Sequence, residues 1–198
     1  MASETLAPWA EPAPQQGPMN VDDLLTLPED GWMYELVEGR LVRMAPSSPV
    51  ASHLGIRLAA ALTAFTDEHG LGIVTGADGE FAFSEDTSLA PDVAFVHAER
   101  IPPRTDPHFD KIWRVAPDLA AEIASHNQYR PKMAAKARLY LAAGVRLVWI
   151  VWPKRRQVDV WWPGDKQPSR TLGVTDTLDG LDVLSGFSYP LTRLFAFA

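Results

Sequence analysis

A chain of 198 residues with 46% hydrophobic side chains is long enough for one domain with a real core, and too apolar for disorder throughout. With no cysteine it forms no disulfide, thiolate nucleophile or sulfur-bound zinc site, which fits a reducing compartment. A formal charge of −7 argues against a protein that coats nucleic acid non-specifically.

Residues 1–20 are rich in Pro, Ala and Gln without an apolar period, and read as a flexible tail that Trp9 could pin. Residues 21–198 read as a single domain. The start lacks the basic and apolar regions of a signal peptide, and no run approaches about 18 apolar residues. A soluble cytoplasmic protein with no membrane partner is therefore expected. Val21 to Leu27 can form a short helix ended near Pro28. Met33 to Val37 and Arg40 to Met44 flank Glu38-Gly39, a two-residue hairpin turn.

Pro49 to Gly70 carries the clearest helical period. Ser48 can cap it, Pro49 suits its first position, and Leu54, Leu58, Ala61, Leu62 and Phe65 share one face. Strands are predicted at Ile73 to Thr75, Glu80 to Ser84, and Val93 to His97, the last entered through Pro91-Asp92. A proline-containing loop covers residues 99–112. Asp118 to Ala124 predicts another strand, and Pro131 to Ala143 a helix closed by Gly144. Leu147 to Trp152 is apolar without alternation, as in a strand covered on both faces. Pro153 to Arg156 turns into Gln157 to Trp162, and the remainder reads as turns and short strands ending in Leu191 to Phe197. The order implies an α/β fold: a mixed β-sheet flanked by helices.

Charge is segregated along the chain. Arg130 to Arg156 holds eight basic residues and no Asp or Glu. Such a stretch can attract a polyanion locally, or can be a solvated basic face. Within it, Arg130, Lys132, Lys154, Arg155 and Arg156 are candidate nucleic-acid contacts.

Four residues could carry chemistry. Asp92 stands where a loop enters a buried strand. In DLAAEIAS, Glu122 shares a strand face with Ala120 and Ala124, leaving room for a ligand beside its carboxylate. A buried Glu needs a cation, a proton or a basic partner, and Arg130 or Arg146 could serve as an ordinary ion pair. Lys136 shares a helix face with Met133 and Tyr140, so it either points inward or snorkels to water. Glu35 lies on the hairpin face of Met33 and Val37, inward or on an exposed strand. Converging carboxylates plus a lysine suit Mg²⁺, with Mn²⁺ as an alternative, since hard oxygen donors bind a hard cation that retains waters and accepts phosphate.

The segments VDDLLTLPEDGWMYELVEGRLVRMAPSSPVASH, LAPDVAFV, DLAAEIAS, KARLYLAAGVRLVWIVWP and TLDGLDVLSGFSYPLTRLF stand in this order from about Val21 onward. Together they resemble the Uma-type restriction endonucleases, a family of the PD-(D/E)xK nuclease superfamily. The resemblance implies a restriction-endonuclease-like fold and a Mg²⁺-dependent endonuclease hydrolysing phosphodiester bonds, DNA above all. It implies Glu35, Asp92, Glu122 and Lys136 as catalytic residues, with Asp92 and Glu122 on the metal. It also implies a lysine moved to the helix, since Ala124 occupies the superfamily's usual lysine position. His53 matches a family position that could touch phosphate or a carboxylate, or simply be a polar helix-end residue. The chain departs from the family at Ser125-His126-Asn127-Gln128, where Ser-Pro-Ser-Thr is usual, and at Lys132, where an aspartate often stands. Nuclease folds of this size often pair, so a homodimer is expected by analogy. The competing reading is a catalytically inactive nuclease-fold module for binding or assembly, which an acidic pI of about 5.2 suits.

Overall fold

The computed structural model describes residues 12–28, 30–125 and 128–197. Trp9, and His126 and Asn127 after the Glu122 strand, lie outside the described residues. Helix α1 (Val21–Leu24) starts from Asn20 in a reciprocal capping box with Asp23 and stops short of the predicted Leu27. Strands β1 (Tyr34–Val37) and β2 (Arg40–Arg43) pair antiparallel. Their turn takes positive φ at both Glu38 and Gly39, 50° and 74°, as a twisted two-residue hairpin requires.

The tail reading fails for Pro12 to Asn20. Ala13 donates its N–H to Leu41 O and Met19 its N–H to Gly39 O, each at 2.9 Å, and Ala13 is buried with Leu36 and Leu41. The reason is edge protection: β2 is an outer strand, and this segment covers backbone groups that would otherwise stand open.

Helix α2 (Pro49–His69) begins where Ser48 Oγ accepts from Ala51 N and ends at Gly70 in the left-handed conformation, φ 62°. Its buried stripe is Ala51, Leu54, Leu58, Leu62 and Thr66, with Ala61 and Phe65 packed at the margin. Strands β3 (Gly72–Gly76), β4 (Phe81–Ser84), β5 (Thr87–Leu89) and β6 (Val93–His97) follow. β5 was not anticipated, because three residues show no usable alternation. Pairing with β1 and β4 on either side makes it a strand.

Next come β7 (Leu119–Ile123), α3 (Arg130–Ala142), β8 (Leu147–Trp152) and β9 (Gln157–Trp161). The chain continues as β10 (Arg170–Leu172), β11 (Thr177–Gly180), β12 (Leu184–Pro190) and α4 (Leu191–Leu194). The predicted strand at Leu191 is instead a helical turn, because Leu191 and Leu194, three apart, both bury in the α2 core.

The main sheet runs β10-β9-β8-β7-β6-β3, antiparallel except for the β7/β8 pair that α3 connects. A second sheet runs β2-β1-β5-β4, and β11 pairs with β12. Helix α2 covers one face of the main sheet over Val93, Phe95, Leu119, Ala121 and Trp149. Helix α3 covers the other with Met133, Ala137 and Tyr140 over Ala120, Val148 and Ile150. Val37, Val42 and Leu89 of the second sheet join that same layer, which brings Glu35 toward α3. The mixed α/β architecture expected from the sequence is present. Among the described residues no helix is long and apolar enough to cross a membrane.

Candidate active site

Alternation on β7 splits its side chains between two cores, Leu119, Ala121 and Ile123 toward α2, Ala120 and Ala124 toward α3. Glu122 therefore points under α3, and it is only 5% exposed. Asp92 stands one residue before β6, where Val93 pairs with Ala121 of β7, and it lies close enough for the Glu122 charge to act on it. Asp92 Oδ2 accepts the Ile123 N–H at 2.6 Å, which ties its carboxylate to the end of β7.

Lys136 points inward and does not snorkel. It is 6% exposed, and its Nζ stands 2.8 Å from Glu122 Oε1 and 3.4 Å from Glu35 Oε1. Glu35 also accepts from Ala90 N at 3.1 Å, a donor that β5 holds in place. The structure thus brings Glu35, Asp92, Glu122 and Lys136 together from four separate elements. The ordinary ion pairs considered for Glu122 are not made. Arg130 pairs with Asp159 at 2.7 Å, and Arg146 with Asp182 at 2.9 Å and Asp118 at 3.8 Å.

Burial governs the electrostatics. It works against the Lys136 charge, but the Glu122 and Glu35 carboxylates outweigh it and hold the ammonium protonated above its usual range. Burial raises Asp92 to about 7, and the nearby Glu122 charge adds to the rise. Burial also raises Glu35, against the pull of Lys136. Three carboxylates share one ammonium, so the ionised cluster carries an excess of negative charge.

Two residues of this neighbourhood escaped the sequence reading. Tyr140 was placed on the inward face but given no role, yet its hydroxyl donates to Glu122 Oε1 at 2.5 Å. Burial, then the charge of Glu122, keep that phenol protonated well above its ordinary range. Lys136 and Tyr140 therefore both occupy Oε1. Glu80, just before β4, is the second. Burial raises it to about 7 with help from Glu35, and its Oε1 is buried without a hydrogen-bond partner. Alternation in the strand predicted from Glu80 to Ser84 sets it on the face of Ala82 and Ser84, away from Phe81 and Phe83, which gives no sign of burial.

The predicted nucleic-acid contacts disperse. His53 is partly buried on α2, its Nε2 covered and unpartnered. Arg130 braces Asp159, Gln157 and the Trp152 ring, so it belongs to the fold beside α3. Lys132 sits half-buried in the first turn of α3, and Arg156 donates to Phe195 O at 2.9 Å. Lys154 and Arg155 stand exposed.

Among the described residues, no three His, Cys, Asp or Glu side chains group tightly enough to hold a metal ion alone. A two-carboxylate donor set still fits Mg²⁺, which is commonly held by one or two carboxylates with waters and substrate phosphate completing its shell. Asp92 and Glu122, brought near each other at the end of β7, are two such carboxylates.

A family model described as "Putative restriction endonuclease", Uma2, matches residues 21–193. Among solved structures the chain is similar to one described as a putative nuclease belonging to DUF820 from Anabaena variabilis ATCC 29413. Identity is 21%, the TM-score is 0.77, and the match covers 90% of this chain and 98% of that one. At this identity the likeness shows a shared fold. No curated protein matches. With its model spanning nearly the whole described fold, the chain belongs to the Uma2 restriction endonuclease family.

Proposed function

We propose that the chain is a metal-dependent endonuclease that hydrolyses nucleic-acid phosphodiester bonds, with DNA as substrate. The observation that carries this reading is Asp92 bonded to the end of β7 beside Glu122, with a buried, protonated Lys136 behind that carboxylate. Asp92 and Glu122 would hold Mg²⁺ or Mn²⁺. When bound, the ion supplies Lewis-acid polarisation of the phosphodiester and a more acidic water. Lys136 sets a fixed positive charge against the negative charge that grows on the phosphate as water adds and the leaving oxygen departs. Glu35 is a second carboxylate partner of the lysine, and Tyr140 fixes the Glu122 carboxylate by its hydrogen bond. A homodimer would place two such sites on two strands.

Cleavage of plasmid and of single-stranded DNA with Mg²⁺ or Mn²⁺, paired with titration calorimetry of the metal, tests the reading. Wild type should bind the ion and cut. Asp92→Asn and Glu122→Gln should lose both properties. A wild type that binds no divalent ion and cuts nothing would make the binding or assembly module the better account.

A further inference from the structure

Two surface clefts flank the site, and apart from Asp92 the chemistry above uses no residue that lines either. The first has a volume of about 740 Å³ and is lined by Asp92, Trp32, Met33 and small residues such as Gly55. The second, about 700 Å³, opens beyond Ala124 and Ser125, which follow the Glu122 strand, and is lined by Tyr129, Lys154 and Arg155. The first turn of α2 is the ridge between them: Ser47 and Ala51 line one cleft, Ser48 and Val50 the other.

Exposed apolar surface concentrates here. Of the seven large hydrophobic side chains exposed among the described residues, Trp32, Met33 and Ile56 line the first cleft, Val50 and Tyr129 the second. Only Ile73 and Phe197 lie elsewhere. Such clustering marks a binding surface, whereas isolated exposed apolar residues need no explanation. The chemistry of each cleft then selects the occupant. The described lining of the first includes two acids, Asp78 and Asp92, and no Lys or Arg. A duplex backbone tracked through it would meet no basic side chain of that lining, and the neighbouring Arg43 is engaged over Trp32. A flat, uncharged ring would meet Trp32, which is 47% exposed and has the Arg43 guanidinium 4.4 Å over its ring to hold it. The second cleft supplies the missing charge through exposed Lys154 and Arg155, next to Tyr129, which is 57% exposed.

Taking the nuclease reading as its basis, we infer that an unpaired, single-stranded stretch of nucleic acid crosses the first turn of α2. One base lies in the first cleft against Trp32. The continuing strand sets a base on Tyr129 and its phosphates beside Lys154 and Arg155. The phosphodiester between them passes the acid pair from the Asp92 side. Aromatic faces accept any base, so this path reads strand geometry and not sequence.

Fluorescence anisotropy of a short labelled oligonucleotide, single-stranded and as a duplex, tests the path in metal-free buffer where no cleavage occurs. The single strand should bind more tightly. Trp32→Ala and Tyr129→Ala should each weaken it by about 5- to 150-fold, the range for loss of one stacked base. Trp32→Phe, which keeps a ring, should restore most of the binding. Replacing Lys154 and Arg155 with Ala should flatten the salt dependence by about 0.7 per charge. Tighter binding of duplex, or aromatic variants that bind the single strand as wild type does, would overturn the inference. Cleavage measured in parallel separates the two readings. Duplex bound and cut with both rings silent removes the strand path and leaves the nuclease. Ring-dependent single-strand binding without cleavage under either metal keeps the path and removes the nuclease.

Discussion

Replacing Lys136 with Met removes the single buried cation of the cluster while keeping a side chain of similar length. The ammonium lies 2.8 Å from Glu122 Oε1 and 3.4 Å from Glu35 Oε1. At an effective dielectric of about 20, each contact is worth roughly 5–6 kcal/mol of gross attraction. Most of that is offset by the desolvation of three buried charges. The expected loss of stability is therefore about 3–5 kcal/mol, the usual result of stranding a buried partner. For a domain of this size that is a fall in Tm of roughly 10 °C. The effects on metal and on chemistry should have opposite signs. A cation beside Asp92 and Glu122 repels a divalent ion, so at mildly alkaline pH the variant should hold Mg²⁺ as tightly as wild type or more tightly. Cleavage should fall by about 10²–10³, since charge developing on phosphate loses its partner. Calorimetric titration, thermal unfolding and plasmid cleavage on one preparation read all three quantities. Equal cleavage by wild type and variant would reduce Lys136 to a structural pair. Loss of metal binding together with activity would mean that the lysine organises the carboxylates and does not act on the phosphate.

Tyr140→Phe keeps the ring in the α3 core but removes the donor to Glu122 Oε1. Metal affinity should drop by about 10–100-fold, as when a ligand loses its orienting hydrogen bond. Unchanged affinity in the titration would leave the hydroxyl with a packing role only. Glu80→Gln tests the burial of the fourth carboxylate. Its folded pKa of about 7 lies above the ordinary 4.5, so the folded protein binds the proton more strongly. Stability from this group is then full below pH 4.5, falls as pH rises toward 7, and stays low above it. The amide should remove that slope and stabilise the fold above pH 7 by at most about 3 kcal/mol, at 1.36 kcal/mol per pH unit. Denaturant melts across that range that stay parallel for the two proteins would show that Glu80 reaches water.

Features governed by local chemistry were legible in the chain. α2 carries its own cap, its own apolar period and a terminal glycine, so its limits could be read within a residue. The spacing of Lys136 with Met133 and Tyr140 put it on their helix face, inward or snorkelling, and only the packing of α3 on the sheet decides for burial. What the chain did not disclose depends on partners far along it. β5 is a strand only because β1 and β4 enclose it. Pro12 to Asn20 is ordered by the open edge of β2 and has no periodicity of its own. Arg130 looked like a free phosphate contact until β9 brought Asp159 beneath it, with Trp152 Nε1 donating to the same carboxylate oxygen at 2.8 Å. A basic residue near a site is a candidate for substrate only after the internal acids have been paired, and Asp159 had no visible claim on it in the sequence.

That accounting also bears on how the four central residues are held. Lys136 comes from a helix and Glu122 from the strand just before it, but Glu35 lies 101 positions from the lysine, on another sheet. A buried lysine with one carboxylate would be a self-contained pair, neutral and satisfied. Here a second carboxylate is brought across to it, and Asp92 lies near enough to feel the Glu122 charge, so the ionised group holds more negative charge than it can balance. Apolar cores do not retain such an excess without a counter-charge. A proton on Asp92 can supply one near neutral pH, and so can a divalent ion. Any ion that binds the folded pair more strongly than the unfolded chain stabilises the fold by mass action. On the proposed metal-dependent reading, the charge imbalance that costs the fold stability is the same feature that would strengthen its hold on a divalent ion, so Mg²⁺ should raise the Tm of wild type and not of Asp92→Asn.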